Sequence, residues 1–170
     1  MITHAQRSAL FGSFSFEHRP LPGNPESVKI DPEWARKNLV SVRIPQLGRT
    51  VTVHRLARLP ILALWAAWER EGLSAQPIPF SGAWVARFKR QNGTLEERLR
   101  KCSRLGPAAL SNHAYGTAQD IFARELPLGR PCPPGHRMWE LAAVARAMGW
   151  EWGNDYKTRV DAMHLELIRP

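Results

Sequence analysis

The chain has 170 residues, of which 44% are hydrophobic and 23% are charged, and it carries a formal net charge of +9. This length and composition are ordinary for one globular domain with a hydrophobic core. No run of about 18 apolar residues is present, which excludes a transmembrane helix. The positive charge favours an anionic partner such as nucleic acid, an acidic membrane surface or an anionic cell wall, without choosing among them.

Two further features of the sequence bear on where the protein works. Its cysteines, Cys102 and Cys132, form no C-x-x-C pattern, which argues against a disulfide framework or a cysteine zinc site. Residues 1–7 lack the basic region and apolar core of a secretory signal. We therefore expect synthesis and folding in a cytoplasm, so that the protein must be released before it acts outside the cell.

Residues 1–36 are rich in proline, glycine, serine and phenylalanine. Phe11–Phe16 alternates as a short strand would, and Leu21–Pro25 has the composition of a turn. The segment is too short to form a domain. We predict an N-terminal extension that packs on the core of a domain spanning residues 37–170, with a disordered arm as the alternative.

The next elements in the chain have clearer patterns. Leu39–Ile44 alternates between apolar and polar residues and predicts a strand, and Thr50–Val53 predicts the returning strand of a hairpin. A helix is predicted over Pro60–Glu71, because proline suits the first helical turn and Gly72 supplies a stop.

The second half of the chain mixes helices and strands. Thr94–Glu97 has the pattern of a capping box and predicts a short basic helix from Leu95 to Ser103. Further predicted elements are an extended stretch over Gln76–Trp84, a strand over Thr117–Phe122, a loop over Leu126–Gly135, a helix over Trp139–Met148, a strand and turn over Trp150–Tyr156, and a last strand over His164–Ile168. The absence of a regular βαβ period predicts an α+β fold, with a small antiparallel sheet flanked by helices.

Two polar clusters carry side chains that suit a metal ion. The first, Ser111–Asp120, contains His113 and Asp120, and the second, residues 161–166, contains His164. A catalytic zinc ion usually takes three protein ligands and keeps a fourth position for water. We therefore predict a cleft centred on one zinc ion per chain, with these two histidines and the aspartate as ligands.

Asp161 lies three residues before His164 and would face the same cleft without binding the metal. In that position its carboxylate would act as a general base, taking a proton from the water that attacks a carbonyl group. The metal or a nearby cation would stabilise the resulting oxyanion.

The motifs Ser111-x-His113-x-x-Gly116-x-Ala118-x-Asp120 and Asp161-x-x-His164-x-Glu166 resemble those of a peptidase family. They are similar to the D-alanyl-D-alanine carboxypeptidase-like zinc peptidases, which include the L-alanyl-D-glutamate endopeptidases of phage endolysins. The resemblance covers residues 37–170 as a catalytic domain and includes Gly82–Arg90. It implies the same three zinc ligands and the same general base.

The resemblance also implies roles for residues outside the ligand set. Arg87 would hold a substrate carboxylate or polarise the scissile carbonyl, for which a guanidinium group is well shaped. Tyr156 either lines the cleft or packs in the core. The other candidates for binding substrate or supporting the ligands are Ser111, Arg90, Tyr115 and Glu166. Arg90 would otherwise be a solvated surface charge, and Tyr115 would otherwise be a packing residue. Glu166 would orient His164.

On this basis the chain is predicted to be an endolysin-like peptidoglycan peptidase that cuts the L-Ala–D-Glu bond of the stem peptide. An aspartate base favours that branch of the family, because the dipeptidase branch tends to use glutamate. A D-alanyl-D-alanine carboxypeptidase or a cross-link endopeptidase is the first alternative. A non-catalytic basic module that binds the cell wall or nucleic acid is an alternative of another class.

The predicted partner is peptidoglycan, met in the cell wall or periplasm after release from the host cytoplasm. We expect no nucleic acid, no membrane insertion and a monomer. The sequence departs from the family pattern at Gln119, which is usually apolar, at Leu165, which is usually Phe, and in a longer charged insertion over residues 91–109. If Gln119 were buried and unpaired, the predicted strand through it would be in doubt.

Overall fold

The computed structural model describes residues 2–170, which form an α+β fold of helices and small antiparallel sheets, as predicted. The α-helices are α1 (His4–Phe11), α2 (Pro32–Asn38), α3 (Arg58–Arg70), α4 (Leu95–Leu105), α5 (Asn112–Tyr115) and α6 (Met138–Ala147). The strands are β1 (Phe16–His18), β2 (Val28–Ile30), β3 (Leu39–Ile44), β4 (Arg49–His54), β5 (Phe80–Gly82), β6 (Ala118–Ile121), β7 (Trp150–Trp152) and β8 (His164–Leu167). None of the helices in this part of the chain has the length and apolar composition of a membrane span.

The main sheet has four antiparallel strands in the order β5-β6-β8-β7. In the register between β6 and β8, Asp120 lies directly opposite His164. Opposed residues on neighbouring antiparallel strands place their side chains on the same face of the sheet, close together. The sheet thus brings together two of the predicted ligands, which are 44 residues apart in the chain.

The larger hydrophobic core lies between this sheet, the β3–β4 hairpin and helices α3 and α6. Trp65 and Trp68 of α3 are both buried, and Trp68 donates a hydrogen bond from Nε1 to the carbonyl oxygen of Leu141 on α6. The hairpin and both helices match their predictions, with α3 beginning at Arg58 rather than Pro60. These tryptophans are packing residues.

Gln119 lies on β6 beside the predicted ligand Asp120 and has no exposed surface. Its Oε1 atom accepts a hydrogen bond from Trp65 Nε1 at 3.0 Å, whereas its Nε2 atom has no partner among residues 2–170. The residue is therefore half-paired, and the strand predicted through it is present as Ala118–Ile121.

The predicted strand over Phe11–Phe16 is wrong, because Phe11 is the last residue of helix α1 and the strand begins only at Phe16. A capping box between Thr3 and Gln6 starts the helix, and Gly12 ends it with a φ of 83°. Phe11 then packs in a second hydrophobic cluster. The T-x-x-Q spacing is the local signal that sequence reasoning overlooked.

Candidate metal centre

Helix α5 is a single turn that contains His113, and its two ends are fixed by Ser111 and Gly116. Ser111 caps its start, with Oγ accepting a hydrogen bond from the backbone N–H of His113 at 3.3 Å. Gly116 ends it in the left-handed region with a φ of 72°, and a Cβ there would lie 2.6 Å from the backbone nitrogen of His54. Only glycine fits such a turn without strain, and the chain then enters β6 and reaches Asp120.

The side chains of His113, Asp120 and His164 meet at one point. His113 Nε2 lies 3.2 Å from Asp120 Oδ1 and 3.1 Å from His164 Nδ1, and His164 Nδ1 lies 3.0 Å from Asp120 Oδ1. About 3.4 Å separates neighbouring donors around a tetrahedral ion with bonds of about 2.1 Å. The spacing of the three atoms therefore fits a zinc ion.

The ring orientation of His113 also fits a metal ligand. Its Nδ1 atom lies 2.5 Å from the carbonyl oxygen of Ala83, to which it donates a hydrogen bond. A neutral imidazole with its proton on Nδ1 presents a lone pair on Nε2. That lone pair faces the Asp120 carboxylate, an arrangement that is repulsive unless a cation lies between them.

The electrostatics of the cluster are those of a site built for positive charge. Burial acts to raise the pKa of Asp120, but the charges and hydrogen bonds that His113 and His164 supply when their rings are protonated hold it far below its usual range. Burial acts to lower the pKa of His164, but the hydrogen bond and charge of Asp120 outweigh it and raise the pKa. The carboxylate of Asp120 is therefore ionised, which is the form that binds a metal ion.

Asp161 lies next to the cluster, in the loop before β8. Burial raises the pKa of its carboxyl group, despite the opposing charges of His164 and His113. Its Oδ1 atom is buried and accepts no hydrogen bond within residues 2–170. A carboxylate oxygen that is buried without a partner is unusual and leaves Asp161 with unused capacity to accept a proton.

The cluster opens into a cleft of about 400 Å³. The lining residues are Arg87, Lys89, Arg90, Gln91, Asn92, Lys101, Ser111, Asn112, His113, Leu128, Tyr156, Thr158, Arg159, Asp161 and His164. Five of them are lysine or arginine, so the cleft has a strongly positive wall beside the predicted metal ligands.

The backbone of Arg87 is held by pairing with two neighbouring segments. It pairs with Ser27 on one side, and its carbonyl oxygen accepts a hydrogen bond from the N–H of Ser111 on the other. Burial lowers the pKa of its guanidinium group; Asp120 and Asp161 act to raise it, and Arg90 to lower it further. Arg87 therefore lies within electrostatic reach of both carboxylates, whereas Arg90 is an exposed residue of the same wall.

The two predicted tyrosines have different surroundings. Tyr156 lines the cleft, and its hydroxyl donates a hydrogen bond to Glu166 Oε1 at 2.9 Å. Tyr115 is buried away from the cleft against Phe14 and Trp34. The structure therefore brings Tyr156, but not Tyr115, to the site.

Glu166 is buried two residues after His164 on the same face of β8, and its charge acts to raise the pKa of His164. Besides Tyr156, its contact is Arg7 of helix α1, whose Nη2 atom lies 3.8 Å from Glu166 Oε2. Arg7 is itself only 1% exposed and lies over the ring of Tyr115. Sequence reasoning missed Arg7, because no local pattern marks an arginine as buried.

Three basic residues of the cleft were also missed: Lys89, Lys101 and Arg159. Lys101 lies on helix α4, within the charged insertion, and Arg159 lies in the loop before Asp161. The insertion was the one signal in the sequence that pointed to such a contribution.

The fold and the site together define a small α+β protein with a candidate metal centre of two histidines and one aspartate in a basic cleft. Residues 105–167 match the sequence model of a family described as D-alanyl-D-alanine carboxypeptidase. Over this stretch, which contains the three predicted ligands and Asp161, the chain is similar to a family of zinc-dependent peptidases that act on peptidoglycan. No curated protein and no solved structure matches the chain significantly.

Proposed function

We propose that this protein is a zinc-dependent endopeptidase of the endolysin type, which hydrolyses the L-Ala–D-Glu bond in the stem peptide of peptidoglycan. One observation carries the proposal: the donor atoms of His113, Asp120 and His164 meet at one point, and both histidines line the same cleft as Asp161, whose Oδ1 atom has no partner among residues 2–170. The similarity of residues 105–167 to zinc peptidases supports the same chemistry.

His113, Asp120 and His164 would hold the zinc ion, and the hydrogen bond from His113 Nδ1 to Ala83 keeps that ring turned correctly. Zinc supplies Lewis-acid activation of water and of the scissile carbonyl group. Asp161, with its raised pKa and a free oxygen, would take the proton from the attacking water and pass it to the leaving amine.

Arg87 would bind a substrate carboxylate beside the scissile bond or polarise the scissile carbonyl. Its guanidinium group is partly buried in the cleft wall and donates one hydrogen bond, from Nη1 to the carbonyl oxygen of Phe88 at 3.2 Å. Four of its five N–H donors therefore have no protein partner among residues 2–170, which suits a two-point contact with a carboxylate.

A D-alanyl-D-alanine carboxypeptidase is the second candidate, because residues 105–167 are similar to a family that is described by this activity. Both activities would use the same metal centre, and they differ in which peptide bond of the stem peptide is cleaved there. Mass spectrometry of the fragments released from purified peptidoglycan distinguishes them. A new D-Glu amino terminus supports the endopeptidase, release of D-alanine alone supports the carboxypeptidase, and no zinc-dependent fragment contradicts both.

A further inference from the structure

The wall of the cleft carries more positive charge than the predicted chemistry uses. Its basic residues are Arg87, Lys89, Arg90, Lys101 and Arg159. The proposed reaction gives a role to Arg87 alone. Gathering like charges in one cleft is unfavourable unless an anion joins them, so the surplus indicates an anionic ligand.

Among the residues that line the cleft, Asp161 is the single carboxylate, against five cations. Within residues 2–170, none of the five cations forms an ion pair with a carboxylate. The nearby buried acids are already engaged: Glu26 pairs with Arg98 at 2.8 Å, and Glu166 accepts a hydrogen bond from Tyr156. The cleft therefore keeps a surplus of positive charge, which an anionic ligand would neutralise.

Interactions link three of these cations to one another and to the carboxylates of the centre. Arg87 is within electrostatic reach of Asp120 and Asp161, and Arg90 is within reach of Arg87. Arg159 comes next, because its Nη1 atom donates a hydrogen bond to the carbonyl oxygen of Arg90 at 3.1 Å. A peptide bound at the centre beside Arg87 would therefore have Arg90 and Arg159 within the same cleft.

Lys101 reaches the same cleft from a separate and well-anchored element. A capping box between Thr94 and Glu97 closes the start of helix α4. The ion pair between Arg98 and Glu26 then ties the helix to the N-terminal segment. A charge presented from an anchored helix needs little ordering when a ligand binds.

We propose that Arg159, Arg90 and Lys101 form a second carboxylate subsite, beyond the group held by Arg87. This inference rests on the proposed function and names its substrate class. The preferred stem peptide carries a side-chain carboxylate on its third residue, as a diamino diacid does. A peptide with lysine at that place brings a positive charge to a positive wall and is disfavoured.

The test compares three synthetic stem peptides that differ only in the third side chain, which ends in a carboxylate, a carboxamide or an amine. For the wild-type zinc enzyme we expect kcat/KM to be at least about tenfold higher for the carboxylate than for the carboxamide, and lowest for the amine. In Arg159→Gln and in Lys101→Gln, we expect KM for the carboxylate peptide to rise. The ratio of kcat/KM for the carboxylate peptide to kcat/KM for the carboxamide peptide then approaches one. Arg159→Lys retains part of the preference.

Lys157→Gln and Arg100→Gln serve as matched controls, because each removes one charge from a neighbouring position that does not line the cleft. If these controls lose the preference to the same degree, or if wild type cleaves the three peptides equally, the subsite is overturned while the peptidase activity stands. If wild type cleaves none of them, the proposed function falls and the subsite falls with it. Calorimetry of the uncleaved carboxylate peptide on the Asp161→Asn variant should show the same loss of affinity when Arg159→Gln is added.

Discussion

Gly153 lies directly against Asp161. Its carbonyl oxygen accepts a hydrogen bond from the Asp161 N–H at 2.9 Å, and a Cβ at Gly153 would collide with the Asp161 carbonyl oxygen. The position of the proposed base therefore depends on a residue eight places earlier that has no side chain. This contact gives a physical reason for the glycine that follows Trp152.

Gly153→Ala tests that dependence. We expect the new methyl group to displace Asp161, lowering kcat about 10²-fold, because displacements of about 1 Å have effects of that size. Overpacking should also reduce the free energy of unfolding by about 1–3 kcal/mol. Zinc content should stay near that of wild type. Gly82→Ala is the control, since a Cβ there meets nothing within 4 Å; equal kinetic losses in both variants would contradict the account.

Asp161→Asn tests the proton transfer itself. The amide keeps the size of the side chain but cannot take a proton, so kcat should fall by about 10²–10⁴-fold while zinc content and melting temperature hold. Asp161→Ala should behave in the same way. Asp155→Asn, which alters an exposed carboxylate paired with Arg146, is the control. Full activity in Asp161→Asn would refute the assignment of the base.

The prediction that the chain binds one zinc ion is tested without any substrate. We expect about one zinc ion per chain by elemental analysis, and a bound ion at 100 times its Kd should add about 2.7 kcal/mol to the free energy of unfolding. A chelator should therefore lower the melting temperature of wild type but not of His113→Ala or His164→Ala. His136→Ala, which changes a histidine outside the cluster, should keep its zinc. A wild-type chain that binds no zinc would exclude the proposed chemistry.

Kinetic measurements on single variants distinguish the roles of Arg87 and Arg90. Arg87→Ala should lower kcat/KM by about 10²-fold with unchanged zinc content, a loss comparable to removing one oxyanion donor. Arg87→Lys should recover only part of the activity, because an amine keeps the charge and loses the two-point geometry. Arg90→Ala should have a smaller effect, confined to KM. Wild-type kinetics in Arg87→Ala would transfer the role to Arg90.

His54 makes the fold sensitive to acid. Its Nδ1 atom accepts a hydrogen bond from the Leu56 N–H at 3.2 Å, and its Nε2 atom donates one to the Phe11 carbonyl oxygen at 3.1 Å. Burial lowers its pKa from 6.5 to about 4. The unfolded chain therefore gains a proton at higher pH than the folded chain does. The His54 contribution is complete above about pH 6.5 and is lost as the pH falls towards about 4, a difference of about 3 kcal/mol.

Urea unfolding between pH 7 and pH 4 measures this contribution. Wild type should lose stability across that range more steeply than His54→Gln, which cannot be protonated. Taking the difference between the two proteins removes the titration of all other groups. Parallel curves would show that the imidazole is not held neutral by the fold.

Much of the site was readable because its signals are local. The strand that carries Asp120, the last strand at His164 and the capping box at Thr94 each follow from a few neighbouring residues, and each is present. The first helix was missed for the opposite reason. An isolated eight-residue helix is marginal on its own, so His4–Phe11 depends on the burial of Phe11 and Arg7 by distant residues.

The sequence by itself determined the chemical inventory of this protein: an imidazole and a carboxylate in one cluster, and a carboxylate and an imidazole in the other. Residue type and spacing are properties of the chain and need no fold to be recognised. Only the tertiary structure decided that Asp120 would lie opposite His164, that Arg7 would pair with Glu166 and that Arg159 would extend the basic wall from Arg90. Those relationships depend on sheet register, burial and loop contacts between residues far apart in the chain, and the hydrophobic core holds them in place.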